Sequence, residues 1–210
     1  MNLEEQRISL IMELRREGIV DTSVLSALER VPRERFVPPA LINQAYENAA
    51  LPLSQGQTIS QPFVVAYMTE ALQVGERMKV LEVGTGSGYQ AAVLAALCRR
   101  VYTVERHRAL LKEAEARFQD LGLHNITTRL GDGGKGWPEQ APFERILVTA
   151  AAETVPETLC MQLGDGGILV APVGGRASQE IWRVRRQGDA LESERLLPVR
   201  FVPLVEGLPE

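Results

Sequence analysis

Residues 79–89 read KVLEVGTGSGY, a mostly apolar run that ends in three alternating glycines. The run over 79–83 predicts a short buried strand, and the glycines predict a tight turn after it. Tyr89 to Leu97 continues as an alanine-rich helix. Glycines let the backbone approach a ligand closely, and the free N–H groups at a helix start favour an anion. The segment therefore predicts a nucleotide-type site between a strand and a helix.

Strands and helices alternate along the chain from Met78 onward. The predicted strands are 79–83, 100–105, 126–130, 144–149 and 167–173, and the predicted helices are 89–97, 107–121 and 157–163. This alternation predicts an α/β fold with a doubly wound, mostly parallel sheet that is covered on both faces. The end of the chain differs, because 179–186 and 196–205 predict antiparallel strands around a Gly188-Asp189 turn, added at the sheet edge.

The first third of the chain predicts an N-terminal helical elaboration. Helical periodicity covers 3–17, and a second helix follows that Asp21 or Thr22 can cap and that Pro32 stops. Residues 32–62 are irregular and proline-containing, a pattern typical of a functional loop. A third helix is predicted over 63–74.

The composition is that of an ordinary globular protein. The chain has 210 residues, of which 45% are hydrophobic and 24% charged, which suits a single domain. We expect one domain over 1–210. Its predicted parts are the N-terminal helices and substrate loop over 1–77, a cofactor-binding core over 78–175 and a C-terminal β addition over 176–210.

Charge and residue counts exclude several classes of site. Two histidines and two cysteines make a zinc site improbable, so no metal is expected. The net charge of −4 gives no attraction to nucleic acid or to an anionic membrane. The acidic start of the chain is not typical of a signal peptide, and no apolar run reaches about 18 residues. We expect a cytoplasmic protein with reduced thiols.

The glycine turn fits neither of two common nucleotide motifs. A dinucleotide fingerprint would need a glycine where Tyr89 stands, and a P-loop would need Gly-Lys followed by Ser or Thr. Glu105 lies 21 residues after Gly84, at the end of the second predicted strand of the α/β part. An acidic residue there hydrogen-bonds ribose hydroxyls in folds of this type.

The segment 79–89 instead resembles the first motif of class I S-adenosylmethionine-dependent methyltransferases, a Rossmann-like fold. Residues 131–133, Gly-Asp-Gly, resemble their adenine-side motif. The resemblance implies S-adenosylmethionine as cofactor, with Glu105 on the ribose hydroxyls, Asp132 on the adenine amine and Gly133 beside it. It also implies that the methionine end is held by Gly84, Thr85, Gly86, Ser87 and Gly88. Turn statistics alone favour Asp132 as a turn residue, whereas its place behind the third strand of this order favours the adenine contact.

Six segments together resemble a narrower family, the protein-L-isoaspartate O-methyltransferases. They are VPRERFV at 31–37, GQTISQP at 56–62, GTGSGY at 84–89, GDGGKGW at 131–137, VTAAA at 148–152 and RFVPL at 200–204. The resemblance implies methyl transfer to the free α-carboxylate of L-isoaspartyl residues in damaged proteins and peptides, which starts repair through a succinimide. A carboxylate is ionised at neutral pH, so it needs alignment rather than a base.

By the same resemblance, the segment 56–62 holds the acceptor. Ser60 would position the carboxylate as the catalytic residue, with Ile59 and Gln61 beside it. Thr58 and Val65 would touch the cofactor, and the segment 46–62 would act as a lid. Ser60 could alternatively cap the helix that begins near Pro62. Arg200 could pair with the substrate carboxylate, or be a surface arginine of a strand.

Two other functions stay open from the sequence. One is a class I methyltransferase that acts on a small molecule or on nucleic acid, although 149–152 reads Thr-Ala-Ala-Ala where amino-directed nucleic-acid enzymes carry Asn/Asp-Pro-Pro-aromatic. The other is a non-catalytic module that binds S-adenosylmethionine. The partners expected under the main interpretation are isoaspartyl proteins and peptides, with no nucleic acid and no membrane, and the protein is expected to be a monomer.

Overall fold

The computed structural model of the protein describes residues 2–209. Two helices open the chain, α1 (Leu3–Arg16) and α2 (Thr22–Arg30). The later helices and strands are, in chain order, β1 (Leu51–Pro52), β2 (Thr58–Ile59), α3 (Pro62–Leu72), β3 (Lys79–Val83), α4 (Tyr89–Ala95), β4 (Arg100–Glu105), α5 (Arg108–Asp120), β5 (Ile126–Leu130), β6 (Phe143–Val148), α6 (Glu157–Cys160), β7 (Leu163–Val173), β8 (Gln179–Gln187) and β9 (Ala190–Val199).

The first two helices begin where side chains satisfy their free N–H groups. Asn2 and Glu5 form a reciprocal capping box at the start of α1. Asp21 accepts hydrogen bonds from Ser23 and Val24 at the start of α2, so the prediction of Asp21 as a cap is confirmed.

The main sheet has seven strands in the order β5-β4-β3-β6-β7-β8-β9. The pairs from β5 to β7 are parallel, and β8 and β9 add to the edge in antiparallel fashion. The predicted doubly wound, mostly parallel sheet is therefore confirmed. The strand order reverses around β3, whose Val83 lies between Val104 of β4 and Val148 of β6. A crevice forms at the carboxyl ends of the strands at such a reversal, and it is the usual ligand site of this architecture.

Successive residues of β3 pack into two cores on opposite faces of the sheet. Val80 belongs to the core that contains residues of α1 to α5, and Leu81 belongs to the one that contains residues of α6. Both side chains are fully buried. Burial of each such side chain stabilises the fold by about 1.5–3 kcal/mol, so packing on both of its faces holds β3 in place.

Both cysteines are free and buried, as the sequence predicts. Burial raises the pKa of the Cys98 thiol to about 12 and that of Cys160 to about 11. A thiol protonated at neutral pH is a poor nucleophile, so both cysteines serve as core residues.

The predicted strand over 196–205 is wrong in its position. The strand β9 covers Ala190–Val199, because β8 and β9 form a hairpin around Gly188 (φ +59°) and pairing starts directly after that turn. The first residues of β9 are exposed and mostly polar, so they lack the apolar pattern of a strand. Beyond Val199 the chain is irregular, with one bridge between Pro203 and Ala151.

Candidate active site

A cavity of about 600 Å³ lies at the carboxyl ends of β3 and β4. Three segments supply most of its wall: the glycine turn (Gly84–Gly88), the acceptor loop (Gly56–Gln61) and the C-terminal segment (Leu197–Val205). All three contribute lining residues, as do Glu105 and the first turns of α3. The cavity has the size of a small-molecule or cofactor site.

The glycine turn depends on glycine at its first position. Gly84 has φ +97°, and a Cβ placed there would lie 2.3 Å from Oγ1 of Thr149. That hydroxyl donates to the carbonyl oxygens of Val83 (3.0 Å) and Gly84 (2.7 Å), which fastens the turn to the chain after β6. A larger residue at position 84 would break this contact.

The last glycine of the turn faces away from the cavity. Gly88 is not among the lining residues, and a Cβ at this position would lie 2.7 Å from the ring of Phe118. The residue therefore lets α4 approach α5. Its predicted contact with the cofactor has no support in this geometry, whereas Gly84, Thr85, Gly86 and Ser87 all line the cavity.

The Glu105 carboxylate is held at the cavity wall by two backbone groups. Its Oε2 accepts from the N–H of Gly86 and its Oε1 from the N–H of His107, both at 2.9 Å. The residue is only 6% exposed. Each carboxylate oxygen can accept a further hydrogen bond, so Glu105 can still bind hydroxyl groups of a ligand.

A second carboxyl group, Glu82, lies in the fold next to the glycine turn. Its Oε2 accepts from Thr103 Oγ1 at 2.5 Å, and Thr103 in turn contacts Thr85 Oγ1 at 2.6 Å. Burial raises the pKa of Glu82 to about 8. The sequence analysis assigned no role to Glu82. The signal in the sequence that could have identified Glu82 is an acidic residue inside a strand that is predicted to be buried.

Glu82 predicts a specific pH dependence of stability. The unfolded chain loses this proton near the ordinary pKa of 4.5, whereas the folded protein keeps it up to about pH 8. The free energy of unfolding therefore falls by up to about 1.4 kcal/mol per pH unit as the pH rises through that window. We expect Glu82→Gln to lack this contribution in urea unfolding at pH 5.5, 6.5 and 7.5. Parallel stability profiles for the two proteins would contradict this.

Asp132 is held by two backbone groups at the border of the cavity. Its Oδ1 accepts from Gly134 N–H and its Oδ2 from Gly207 N–H, both at 2.9 Å. It is not among the lining residues of the cavity, whereas its neighbour Gly133 is. The structure thus shows Asp132 as a turn residue at the cavity's border, and contact with an adenine amine stays a prediction.

The acceptor loop presents Ser60 to the cavity. Ile59, which is 3% exposed, pairs with Leu51 in the two-stranded β1–β2 sheet and anchors the loop. Within residues 2–209, no hydrogen bond engages the Ser60 hydroxyl. Ser60 is also not the cap of α3, because that position belongs to Gln61, which makes no side-chain cap bond. The hydroxyl is thus available to a ligand.

Asn48 satisfies the start of α3 in place of Ser60. Its Oδ1 accepts from the Phe63 N–H at 3.0 Å, and its carbonyl accepts from Gln61 Nε2 at 2.9 Å. The sequence analysis missed this residue, because nothing in its local sequence indicates contact with a helix that begins 14 residues later.

The remaining predicted site residues all reach the cavity. Thr58, Val65, Gln61 and Arg200 line it together with the residues already described. Arg200 is exposed, and no ion pair engages it in the part of the chain that the structure describes. The sequence analysis assigned only Arg200 from the C-terminal segment, although the whole segment forms a wall.

The C-terminal segment is fixed by backbone contacts. Phe201 N–H donates to Gln179 Oε1 at 2.6 Å, and Ala151 N–H donates to the Val202 carbonyl at 2.8 Å. The Leu204 N–H returns a bond to the Ala151 carbonyl at 2.7 Å. These bonds hold the segment beside the ends of the strands, where it lines the cavity.

Residues 2–209 hold neither a metal-ligand cluster nor a membrane-spanning helix. No group of three or more His, Cys, Asp or Glu residues could hold a metal ion. No helix in this part of the chain is long and apolar enough to cross a membrane.

Known protein sequences resemble this chain along nearly its whole length. The family model for protein-L-isoaspartate(D-aspartate) O-methyltransferase matches residues 5–208. A protein-L-isoaspartate O-methyltransferase from Parvibaculum lavamentivorans is 64% identical over 208 residues, which are 98% of this chain and 94% of the relative. The enzyme of that name from Rhodospirillum rubrum is 64% identical over 212 residues, with 100% and 97% covered.

Solved structures agree with the fold. A protein-L-isoaspartate O-methyltransferase superposes with a TM-score of 0.84 at 30% identity, covering 94% of this chain and 65% of that longer one. A structure from Plasmodium falciparum, named for the same activity and in complex with S-adenosyl-L-homocysteine, gives a TM-score of 0.83 at 23% identity, with 96% and 99% covered. The second likeness bears on the fold alone.

Proposed function

The chain belongs to the protein-L-isoaspartate(D-aspartate) O-methyltransferase family, and we propose that it methylates the free α-carboxylate of L-isoaspartyl residues with S-adenosylmethionine. One observation carries the assignment of roles. The acceptor loop and the glycine turn, 24 residues apart from Ser60 to Gly84, face each other across one cavity. The site for the methyl donor therefore lies next to the site for the methyl acceptor.

The residues of the cavity fit S-adenosylmethionine. The position of Gly86 is open, with no atom within 4 Å of where a Cβ would stand, so a ligand can approach its backbone. The turn residues 84–87 would hold the methionine end, and Glu105 would hold the ribose hydroxyls. When bound, this cofactor supplies a methyl group on a positively charged sulfur, which is an electrophile. The protein then has to bring a nucleophile to it.

The acceptor loop supplies orientation rather than proton transfer. The substrate carboxylate is already ionised at neutral pH, so no general base is required. Ser60 would donate its hydroxyl hydrogen to one carboxylate oxygen, which leaves the other free to react. Alignment of this kind can contribute several kcal/mol to the rate. Ile59 and Val65, both buried and apolar, form part of the wall of the same space.

Methylation prepares the damaged residue for repair. Methoxide leaves an ester carbonyl far more readily than oxide or hydroxide leaves a carboxylate, so the neighbouring peptide nitrogen attacks the ester carbonyl and closes a succinimide with loss of methanol, without further help from the protein. Hydrolysis of the succinimide returns part of the material as normal aspartate. We propose that the partners are any proteins or peptides that carry such residues, and that the protein acts as a cytoplasmic monomer without nucleic acid.

Glu105→Gln tests the cofactor half of the site. We expect the affinity for S-adenosylmethionine to fall about tenfold, because the amide keeps the shape but loses the charge of the hydrogen-bond acceptor. Calorimetry on the purified variant measures this. Glu115→Gln, an exposed change on α5 outside the cavity lining, is the control and should bind normally. Equal affinities for S-adenosylmethionine in Glu105→Gln and Glu115→Gln would show that Glu105 does not bind the cofactor.

The acceptor class is tested by transfer of a labelled methyl group. We expect label on an isoaspartyl peptide and none on RNA, DNA or a peptide-free control. Label on a nucleic acid with an unlabelled peptide would favour the alternative methyltransferase. Binding of the cofactor without transfer to any acceptor would favour the non-catalytic module.

A further inference from the structure

Arg33 is a fully buried arginine to which the proposed site gives no role. It lies in the segment 31–37, at the start of a short 3-10 helix (Arg33–Arg35), and its exposed fraction is 0%. A charged side chain is rarely buried to this degree without a partner of opposite charge. Its contacts therefore indicate what it does.

Two hydrogen bonds connect Arg33 to the substrate side of the cavity. Its Nη2 donates to the carbonyl oxygen of Ser60 and its Nε to that of Ala45, both at 2.8 Å. Its guanidinium carbon lies 4.8 Å from the ring centre of Tyr89, a residue that lines the cavity. The planar guanidinium thus joins the acceptor loop to the first residue of α4.

The positive charge of Arg33 has no negative partner. No carboxylate lies within 4.0 Å of the guanidinium in residues 2–209, and the neighbouring Glu34 accepts a hydrogen bond from Tyr46 instead. In the described residues the Nη1 atom is buried without a hydrogen bond of good geometry, although the Tyr89 side chain interacts with the guanidinium. A buried charge of this kind is costly for the fold. An anion bound nearby would offset that cost.

We propose that Arg33 is a positioning residue for the methyl-acceptor site, and that its unpaired buried charge favours an anionic acceptor beside Ser60. The proposal rests on the proposed function. By holding the Ser60 carbonyl, Arg33 fixes the backbone that carries the Ser60 hydroxyl. Arg33 does not itself line the cavity, but it lies directly behind Ser60, so its charge lowers the free energy of a carboxylate beside that residue.

Arg145 provides a matched control at the other end of α3. It is 9% exposed, and its Nε donates to the carbonyl oxygen of Gln73 at 2.9 Å, directly after that helix. It therefore also uses a buried guanidinium to hold a backbone carbonyl. Neither arginine lines the cavity itself, but the carbonyl that Arg145 binds belongs to Gln73, which lies outside the lining, whereas Ser60 lies within it, so the loss of Arg145 should affect stability alone.

The test measures steady-state kinetics on an isoaspartyl peptide for Arg33→Met, Arg33→Lys and Arg145→Met. We expect Arg33→Met to raise the KM for the peptide about tenfold and to lower kcat about tenfold, with the cofactor Kd within twofold of wild type. Arg33→Lys keeps the charge but cannot reach both carbonyls, so KM should recover while kcat stays low. Arg145→Met should lower Tm and leave both constants unchanged.

Several results would overturn the proposal. A peptide KM in Arg33→Met equal to wild type, or a parallel loss of cofactor affinity, would give Arg33 a purely structural role. If Arg33→Met does not fold, Arg33→Lys decides alone, and a normal kcat in that variant overturns the proposal. Failure of the wild-type protein to methylate the peptide would overturn the proposed function instead, so the two failures are distinguishable.

Discussion

Gly84→Ala is expected to lower the free energy of unfolding by about 3–5 kcal/mol and to abolish measurable cofactor binding. Two costs add at this position. The backbone φ of +97° is unfavourable for any residue with a Cβ, and the new methyl group would lie 2.3 Å from Thr149 Oγ1. The clash can be relieved by rotating the Thr149 hydroxyl, which breaks its hydrogen bonds to Val83 and Gly84, or by moving the backbone of the turn that lines the cavity. Chemical denaturation and calorimetry with S-adenosylmethionine measure the two effects.

Gly18→Ala separates the clash from the backbone cost. Gly18 has a similar φ of +102°, but nothing lies within 4 Å of its Cβ position and it is not a cavity residue. We expect this variant to lose only about 1–2 kcal/mol and to bind the cofactor normally. In the double variant Gly84→Ala/Thr149→Ala, part of the stability should return. Equal losses of unfolding free energy in Gly84→Ala and Gly18→Ala would show that the contact with Thr149 adds no cost at position 84.

Ser60→Ala is expected to lower kcat about 10- to 100-fold while the cofactor Kd stays within twofold of wild type. The change removes one hydrogen bond to a charged acceptor, a contact that contributes about 1.5–3 kcal/mol. Since Asn48 and not Ser60 satisfies the start of α3, the variant should keep the melting temperature of the wild type. Single-turnover transfer to an isoaspartyl peptide and calorimetry with the cofactor measure rate and affinity separately.

Ser54→Ala is the control for this change. Ser54 is an exposed serine close to the acceptor loop, and it does not line the cavity. Its replacement should leave both rate and affinity unchanged. A Ser60→Ala protein with normal rate but weak cofactor binding would place Ser60 in the cofactor site, against the role assigned above.

The parts of the site that the sequence predicted are those with a local physical cause. The glycine turn follows from the order strand, glycines, helix, and Glu105 follows from its place at the end of the adjacent strand. Because the carboxyl ends of parallel strands lie at the same edge of the sheet, the glycine turn and Glu105 lie next to each other. Ser60 follows from resemblance to a family, and the structure adds that it lines the cavity and that its hydroxyl makes no hydrogen bond within residues 2–209.

The parts that the sequence did not predict depend on contacts between distant segments. Arg33 meets the Ser60 carbonyl 27 residues further along the chain, and Asp132 meets Gly207 at a separation of 75 residues. No local pattern encodes such pairs. The strand β9 was misplaced for a related reason, since hairpin geometry rather than apolar alternation sets where it starts.

The most direct test of the whole account is a competition between two isomeric peptides. One carries an isoaspartyl residue and the other a normal aspartyl residue at the same position, and both are incubated with the protein and labelled S-adenosylmethionine. The aspartyl residue has a free α-carboxylate only in the isoaspartyl peptide, so all base-labile label is expected there. Equal labelling of the two peptides, or labelling of neither, would contradict it.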